Sequence, residues 1–243
     1  MFRMRIALTA FVFLLCSVSP MRADDSLVLA SGAGYKKMVN ALTAAYEQET
    51  GRTVDRLYGN MGRVTALAEQ SGRVDVVLGA DDYLVGAGLK FSAKHLLGKG
   101  RLVLACPKGS ICASVRALDD PDVKRIALPD TSKAIYGRAA REFLSSTDRL
   151  PGIKPRLVEV ATVPQVFSYL VADEVDMGFL NLTHALHVKD KLGGYVLVPE
   201  ETYKPIEIIA GELADCKKGS LVRDFFQFLD TPKAKGIIKD SGL

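Results

Sequence analysis

The chain has 243 residues, room for one large or two small domains at roughly 150 residues each and for a core that needs no staples. With 48% apolar, 25% charged and 7% aromatic residues, it is composed like a soluble globular protein, which excludes a disordered, collagen-like or disulfide-scaffold chain. Basic residues number 32 and acidic ones 28, and Arg3, Arg5 and Arg22 lie in the first 23 positions. The remainder is nearly neutral, with no basic stripe of the kind a nucleic-acid partner requires.

In chain order, Met1–Arg5 is a positive stretch, followed by the apolar run Ile6–Val18 and then Ser19-Pro20-Met21-Arg22-Ala23. The run is too short to cross a bilayer and ends in turn residues, the pattern of a signal peptide over residues 1–23, cleaved after Ala23. An uncleaved anchor is the other reading. Cys16 lies inside the apolar run and fits a lipoprotein site poorly. No later stretch of about 20 apolar residues occurs, so the mature chain is expected to be soluble and periplasmic.

A repeated strand, loop and helix follows. Leu27–Ala30 reads as a buried strand, Ser31-Gly32-Ala33-Gly34 as a turn, and Met38, Leu42, Ala45 and Tyr46 as the apolar stripe of a helix that stops at Gly51. Thr53–Tyr58 is a second strand, and Gly59-Asn60-Met61-Gly62 opens a helix carrying Val64, Leu67 and Ala68. Val74–Leu78 is a third strand, ending at Gly79-Ala80-Asp81-Asp82. Leu102–Cys106 and Ile206–Ala210 read as strands that can link two lobes. Cys106 and Cys112 can close a loop around Pro107–Ile111 as a structural disulfide, or stay as free thiols, with Cys216 left over.

Arg125–Leu128 is another strand, Pro129–Ser132 a loop and Ala134–Leu144 a helix. Thr162-Val163-Pro164-Gln165 has the form of a capping box, with Thr162 as N-cap and a proline in the first turn. Its helix is expected to bury Val166, Phe167, Leu170 and Val171 before a strand around Val175–Leu180. Alternating strands and helices predict an α/β fold with mainly parallel sheets.

Four turns share one device, small residues delivering a helix N-terminus: Ser31–Gly34, Gly59–Gly62, Ser132–Gly137 and Thr162–Gln165. Unpaired N–H groups and the helix dipole make such ends anion sites, and open α/β sheets bind ligands beyond the carboxyl ends of their strands. Motifs for catalysis are thin, with no G-x-S-x-G, P-loop, H-E-x-x-H or G-x-G-x-x-G. His184 and His187 can share a helix face, but nothing completes a metal set around them or around the cysteines. They read as surface or packing residues. Asp81 and Asp82 can form an acid/base pair or, more ordinarily, cap the next helix.

At these residues the sequence resembles the periplasmic molybdate-binding proteins of ABC transporters. The resemblance is carried by Val28-Leu29-Ala30-Ser31-Gly32-Ala33, by Tyr58-Gly59-Asn60-Met61-Gly62 and by Val74-Asp75-Val76-Val77-Leu78-Gly79-Ala80-Asp81. It extends through Pro129–Ala140, where Tyr136-Gly137-Arg138-Ala139-Ala140 is its most specific piece, and Val163–Gly178. The family implies a two-lobed type II periplasmic-binding-protein fold, mainly parallel sheets with helices on both faces. The lobes would be residues 24–103 with 206–243, and residues 104–205. It also implies a cleft that closes on a tetrahedral dianion, molybdate or tungstate, held by neutral donors. No cofactor is implied, and molybdenum or tungsten would enter only as the bound oxyanion. The expected partners are that oxyanion and a permease with its ATPase, and the chain is expected to be a monomer.

Carried over by motif, the ligand-binding candidates are Ala33, Asn60, Met61, Ala134, Val163 and Asn181. The family usually has serine at the positions of Ala33 and Asn60–Met61, and often tyrosine at that of Asn181. Ser31 and the Asn60 and Asn181 amides are candidate replacements, and Arg63 and Lys133 can add charge. Each lost donor to a buried dianion costs roughly 1.5–3 kcal/mol, about one to two decades of affinity. Two alternatives follow: the same transport role for another small anion, sulfate or an organic carboxylate, and a two-lobed exported enzyme built on Asp81 or Asp82.

Overall fold

One unit recurs along the chain: a buried strand ends in a small-residue turn that hands over to a helix. The computed structural model describes residues 26–243; the expected leader over residues 1–23, with Cys16, lies outside the described residues. Ser26–Gly32 forms β1, Thr53–Gly59 β2 and Val76–Ala80 β3, separated by α1 (Lys36–Thr50) and α2 (Met61–Ser71). After α3 (Asp81–Gly86), β4 (Phe91–Gly100) runs through Arg101 into β5 (Leu102–Pro107). Next come β6 (Ile126–Pro129), α4 (Ile135–Ser146), the short α5 (Leu150–Ile153) and β7 (Leu157–Val160). The unit recurs as α6 (Val163–Val171), β8 (Met177–Asn181), α7 (Leu182–Val188) and β9 (Leu192–Leu197). β10 (Ile206–Leu213), α8 (Gly219–Leu229) and α9 (Pro232–Asp240) follow. No helix among the described residues is long and apolar enough to cross a membrane.

The strands form two five-stranded sheets, ordered β2-β1-β3-β10-β4 and β7-β6-β8-β5-β9. With helices on both sides of the sheets, this is the two-lobed α/β fold that the sequence predicts. The sheets are mixed rather than mainly parallel. β1 pairs in parallel with β2 and β3, and β6 with β7 and β8. β10 is antiparallel to β3 and β4, and β5 to β8 and β9. Connections explain the difference. A helical crossover makes its flanking strands parallel, whereas β5 and β10 arrive from the other sheet with no α-helix between.

Burial follows the same logic. β3, β5, β6 and β8 are buried along their whole length, which is why they read as continuous apolar runs. The unpredicted strands β4, β7 and β9 are all sheet edges. Edge strands carry mixed side chains, such as Lys94, His95 and Lys99 in β4, so their pattern is weak. The α1 stripe is buried as predicted, and Tyr46 sets its ring edge against Phe225 and Phe228 of α8 at 5.2 and 5.5 Å. Burying each such large side chain contributes roughly 1.5–3 kcal/mol. Gly51 ends α1 in the left-handed conformation (φ 69°), which glycine adopts without strain. In α6, Val166 and Leu170 are buried but Val171 is half exposed, because it lies past the edge of the stripe set by Val163, Val166 and Leu170. Cys106 and Cys112 are disulfide-bonded at the end of β5, and Cys216 is a free thiol.

Candidate functional site

Each of the four small-residue turns lies at the carboxyl end of a strand: β1, β2, β6 and β7. They converge on one cavity. Ala33, Gly34 and Tyr35 line it from the first turn, and Asn60 and Met61 from the second. Ala134, Ile135 and Tyr136 line it from the third, and Thr162 and Val163 from the fourth. The first two turns belong to one sheet and the last two to the other, so the cavity lies between the lobes. The cavity volume is about 30 Å³. A water needs about 10–15 Å³, so the space suits a small polyatomic ion and not a sugar or peptide. No charged side chain among the described residues lines it.

Local caps decide which N–H groups remain available. Asn60 caps α2 by accepting the Arg63 N–H on Oδ1 at 2.9 Å, and the Gly62 N–H goes across the cleft to the Lys133 carbonyl at 3.1 Å. The Met61 N–H and the Asn60 Nδ2 are left. At α6 the predicted capping box is complete: Gln165 N–H to Thr162 Oγ1 at 3.4 Å, and Thr162 N–H to Gln165 Oε1 at 3.1 Å. Pro164 has no N–H, so the first turn of α6 offers Val163 alone. α4 starts after Ala134 with no side-chain cap, leaving the Ile135 and Tyr136 N–H groups without intrahelical acceptors. Several helix N-termini thus supply positive potential with no cation present.

Of the predicted site residues, Ala33, Asn60, Met61, Ala134 and Val163 line this cavity. Three lie elsewhere. Ser31 is fully buried in β1, with its hydroxyl on the Gly32 carbonyl at 3.4 Å. Arg63 is exposed, and its stem covers Gly59. Asn181 sits beneath the first turn, donating from Nδ2 to the Gly34 carbonyl at 3.3 Å, with its Oδ1 buried and unpartnered. The Lys133 stem lies against Gly62. The Met61 thioether points away into the core near Gly32 and Gly79, so Met61 offers its backbone to the cavity.

Tyr35 and Tyr136 are cavity residues that the motif carry-over passes over. Their hydroxyls meet across the lobes at 2.5 Å, with ring centroids 6.2 Å apart and both side chains buried. Burial, with each phenol beside the other, holds Tyr35 well above the ordinary tyrosine range, and burial raises Tyr136 as well. Both stay neutral donors. The local signal was available: a tyrosine stands at the helix start of two of the four turns.

Other bonds tie the lobes beside the cavity. Tyr83 donates to the Ser132 carbonyl at 3.2 Å, and Arg138 pairs with Asp82 at 2.7 Å while stacking on the Tyr83 ring. Lys37 reaches the His187 carbonyl at 3.2 Å. Asp81 pairs with Lys94 at 2.6 Å, so both aspartates sit in the first turn of α3 as ion-pair partners. His184 packs against Phe167, and burial, with Lys37 and His187 nearby, pushes its pKa down to about 4. No group of three or more His, Cys, Asp or Glu that could hold a metal occurs among the described residues.

Comparison with known proteins adds four findings. The family model for the bacterial extracellular solute-binding proteins matches residues 27–243. The molybdate-binding protein ModA of Rhodobacter capsulatus is 24% identical over 98% of this chain and 96% of its own. Among solved structures, the periplasmic molybdate-binding protein of Azotobacter vinelandii superposes with a TM-score of 0.81 at 23% identity, covering 89% of this chain and 97% of that one. The sulfate-binding protein SubI of Mycobacterium tuberculosis has a TM-score of 0.73 at 14% identity, covering 89% and 85%.

Proposed function

The chain belongs to the bacterial extracellular solute-binding proteins and is ModA-like, and from that premise we propose that it captures a tetrahedral oxyanion, molybdate or tungstate, between its lobes. It is an extracytoplasmic binding protein of the ABC-transport class, and the enzyme reading on Asp81 and Asp82 falls with that membership. The observation that carries the ligand class is the cavity: small, free of charged side chains, and walled by four helix-start turns, two from each lobe. A dianion there accepts hydrogen bonds from the N–H groups of Ala33, Met61, Ile135 and Val163. A cationic wall would favour carboxylates instead.

In this reading residues 1–23 export the chain to the periplasm, where it acts as a monomer and delivers the anion to a permease driven by an ATPase. The lobes, residues 24–103 with 206–243 and residues 104–205, close by hinging where the chain crosses between sheets. Those crossings are Arg101 and residues 198–205. The anion favours the closed form because donors from both lobes reach it together.

Titration calorimetry with molybdate, tungstate, sulfate and phosphate tests the reading. Binding of molybdate or tungstate in preference to the others is the expected result. Sulfate is the second reading, favoured by the alanine, methionine and asparagine that stand where the family carries hydroxyls. Binding of none of the four removes the oxyanion reading.

A further inference from the structure

The cavity has one pair of hydroxyls that the motif carry-over passes over. Tyr35 comes from the first-lobe turn and Tyr136 from α4 of the second lobe, 101 residues apart in sequence, and their hydroxyls share one hydrogen bond. Each phenol carries a single O–H. One proton is consumed between the two oxygens, and the other is left over. Neither hydroxyl has any further hydrogen-bond partner among the described residues. Both side chains are almost wholly buried, at 1% and 3% exposed, so bulk water does not take that proton. Buried donors are rarely left orphaned, and both residues line the anion cavity.

We propose that the Tyr35–Tyr136 pair is a ligand-binding relay: its unshared phenolic proton is donated to the bound anion, so capture and lobe closure become one event. This rests on the anion-capture reading above. The relay supplies a hydroxyl donor to a site whose wall has Ala33 and Met61, with Asn181 turned under the first turn. Hydrogen bonds in a chain polarise one another, so donation to an anion strengthens the bond between the two phenols. That bond exists only when the lobes meet. Both hydroxyls lie beside Gly100, where the chain leaves the first sheet; a Cβ there would collide with the Tyr136 hydroxyl. The relay is thus seated at the crossover between lobes. Neutral phenols are needed throughout, and burial keeps both protonated.

Calorimetry on the full mature chain, with molybdate and with sulfate, tests the relay in wild type, Tyr35→Phe, Tyr136→Phe and the double variant. Phenylalanine keeps the ring packing, and thermal melts of each ligand-free protein check that all four fold alike. The change at the phenol that meets the anion should weaken binding of the preferred anion about tenfold or more, the loss of a charge-assisted bond, and the change at its partner, which only orients and polarises that hydroxyl, should cost less. The double variant should be no weaker than the weaker single, since the partner phenol acts only through the one that meets the anion. A tyrosine absorbance difference on anion addition should appear in wild type and vanish in the double variant. If wild type binds and both single variants match it within about twofold, the pair only packs and the relay is refuted. Losses that multiply in the double variant refute it too, because the phenols then act independently. A wild type that binds neither anion brings down the capture reading and the relay with it, an outcome distinct from the other two.

Discussion

Replacing Gly34 with alanine puts a methyl group into the closed interface and nowhere else. Gly34 lies in the cavity wall and does not adopt a left-handed conformation, so its backbone tolerates a side chain. The obstacle is Asn181 of the other lobe. A Cβ at Gly34 would stand 2.6 Å from Asn181 Oδ1, 3.2 Å from Cγ and 3.3 Å from Nδ2. Asn181 cannot swing aside into solvent, because it is fully buried and bonded through Nδ2 to the Gly34 carbonyl. Overpacking of this kind costs typically 1–3 kcal/mol. Since the clash exists only with the lobes together, the cost falls on closure and should weaken anion binding about 5- to 150-fold. Asn181→Ala alone removes one hydrogen bond to a carbonyl, about 0.5–1.5 kcal/mol. In the double variant the clash is gone, so its affinity should lie near that of Asn181→Ala and well above the product of the two losses. Calorimetry on the four proteins reads the cycle. Gly34→Ala binding like wild type, or strictly additive losses, would refute the placement of Asn181 against the first turn.

Other expectations are simpler. The folded pKa of His184 lies below its ordinary 6.5, at about 4, so the unfolded chain takes up a proton first as pH falls. Stability from this group is therefore complete above pH 6.5 and is lost progressively towards pH 4, up to about 3 kcal/mol. Denaturant midpoints against pH should flatten over that range in His184→Gln, and an unchanged slope rejects the assignment. Cys106 and Cys112 are six residues apart, and opening so short a loop should cost about 2 kcal/mol. A Cys106→Ser/Cys112→Ser variant should show this in urea melts while its anion affinity stays put; equal stability would mean that the turn needs no tie. Arg63→Ala should leave the dissociation constant within about twofold, since the guanidinium is exposed and outside the cavity wall. A larger loss would put that side chain back at the anion.

Local signals made the fold readable where a residue's role was settled by its near neighbours. The Thr162–Gln165 capping box, the Gly51 stop and the buried strands read at Val74–Leu78 and Arg125–Leu128, which the structure places at Val76–Ala80 and Ile126–Pro129, needed no knowledge of distant segments. Edge strands β4, β7 and β9 were not readable, because one side of an edge strand meets solvent and its composition follows no single period. The same division runs through the site. Five cavity residues, Ala33, Asn60, Met61, Ala134 and Val163, came by carry-over from the family motif, and the turns that hold them were legible from the small and capping residues that open each helix.

What local patterns could not carry is the meeting of the lobes. Ser31, Asn181 and Arg63 stand in or beside the right turns, yet a shift of one position along β1, or one face around α2, takes a side chain out of the cavity. Tyr35 and Tyr136 are far apart in sequence, and only the closed arrangement makes them neighbours. A site walled by backbone amides also loses less than its sequence suggests when a side chain changes. Alanine in place of serine at Ala33, or methionine at Met61, removes a hydroxyl but keeps the N–H that the turn presents. If the cavity takes an anion as proposed, its ligand class follows from the turns, while affinity and the choice among anions should depend on cross-lobe pairs such as Gly34 with Asn181 and Tyr35 with Tyr136. Substitutions in those pairs should move affinity and selectivity more than substitutions at any single turn side chain.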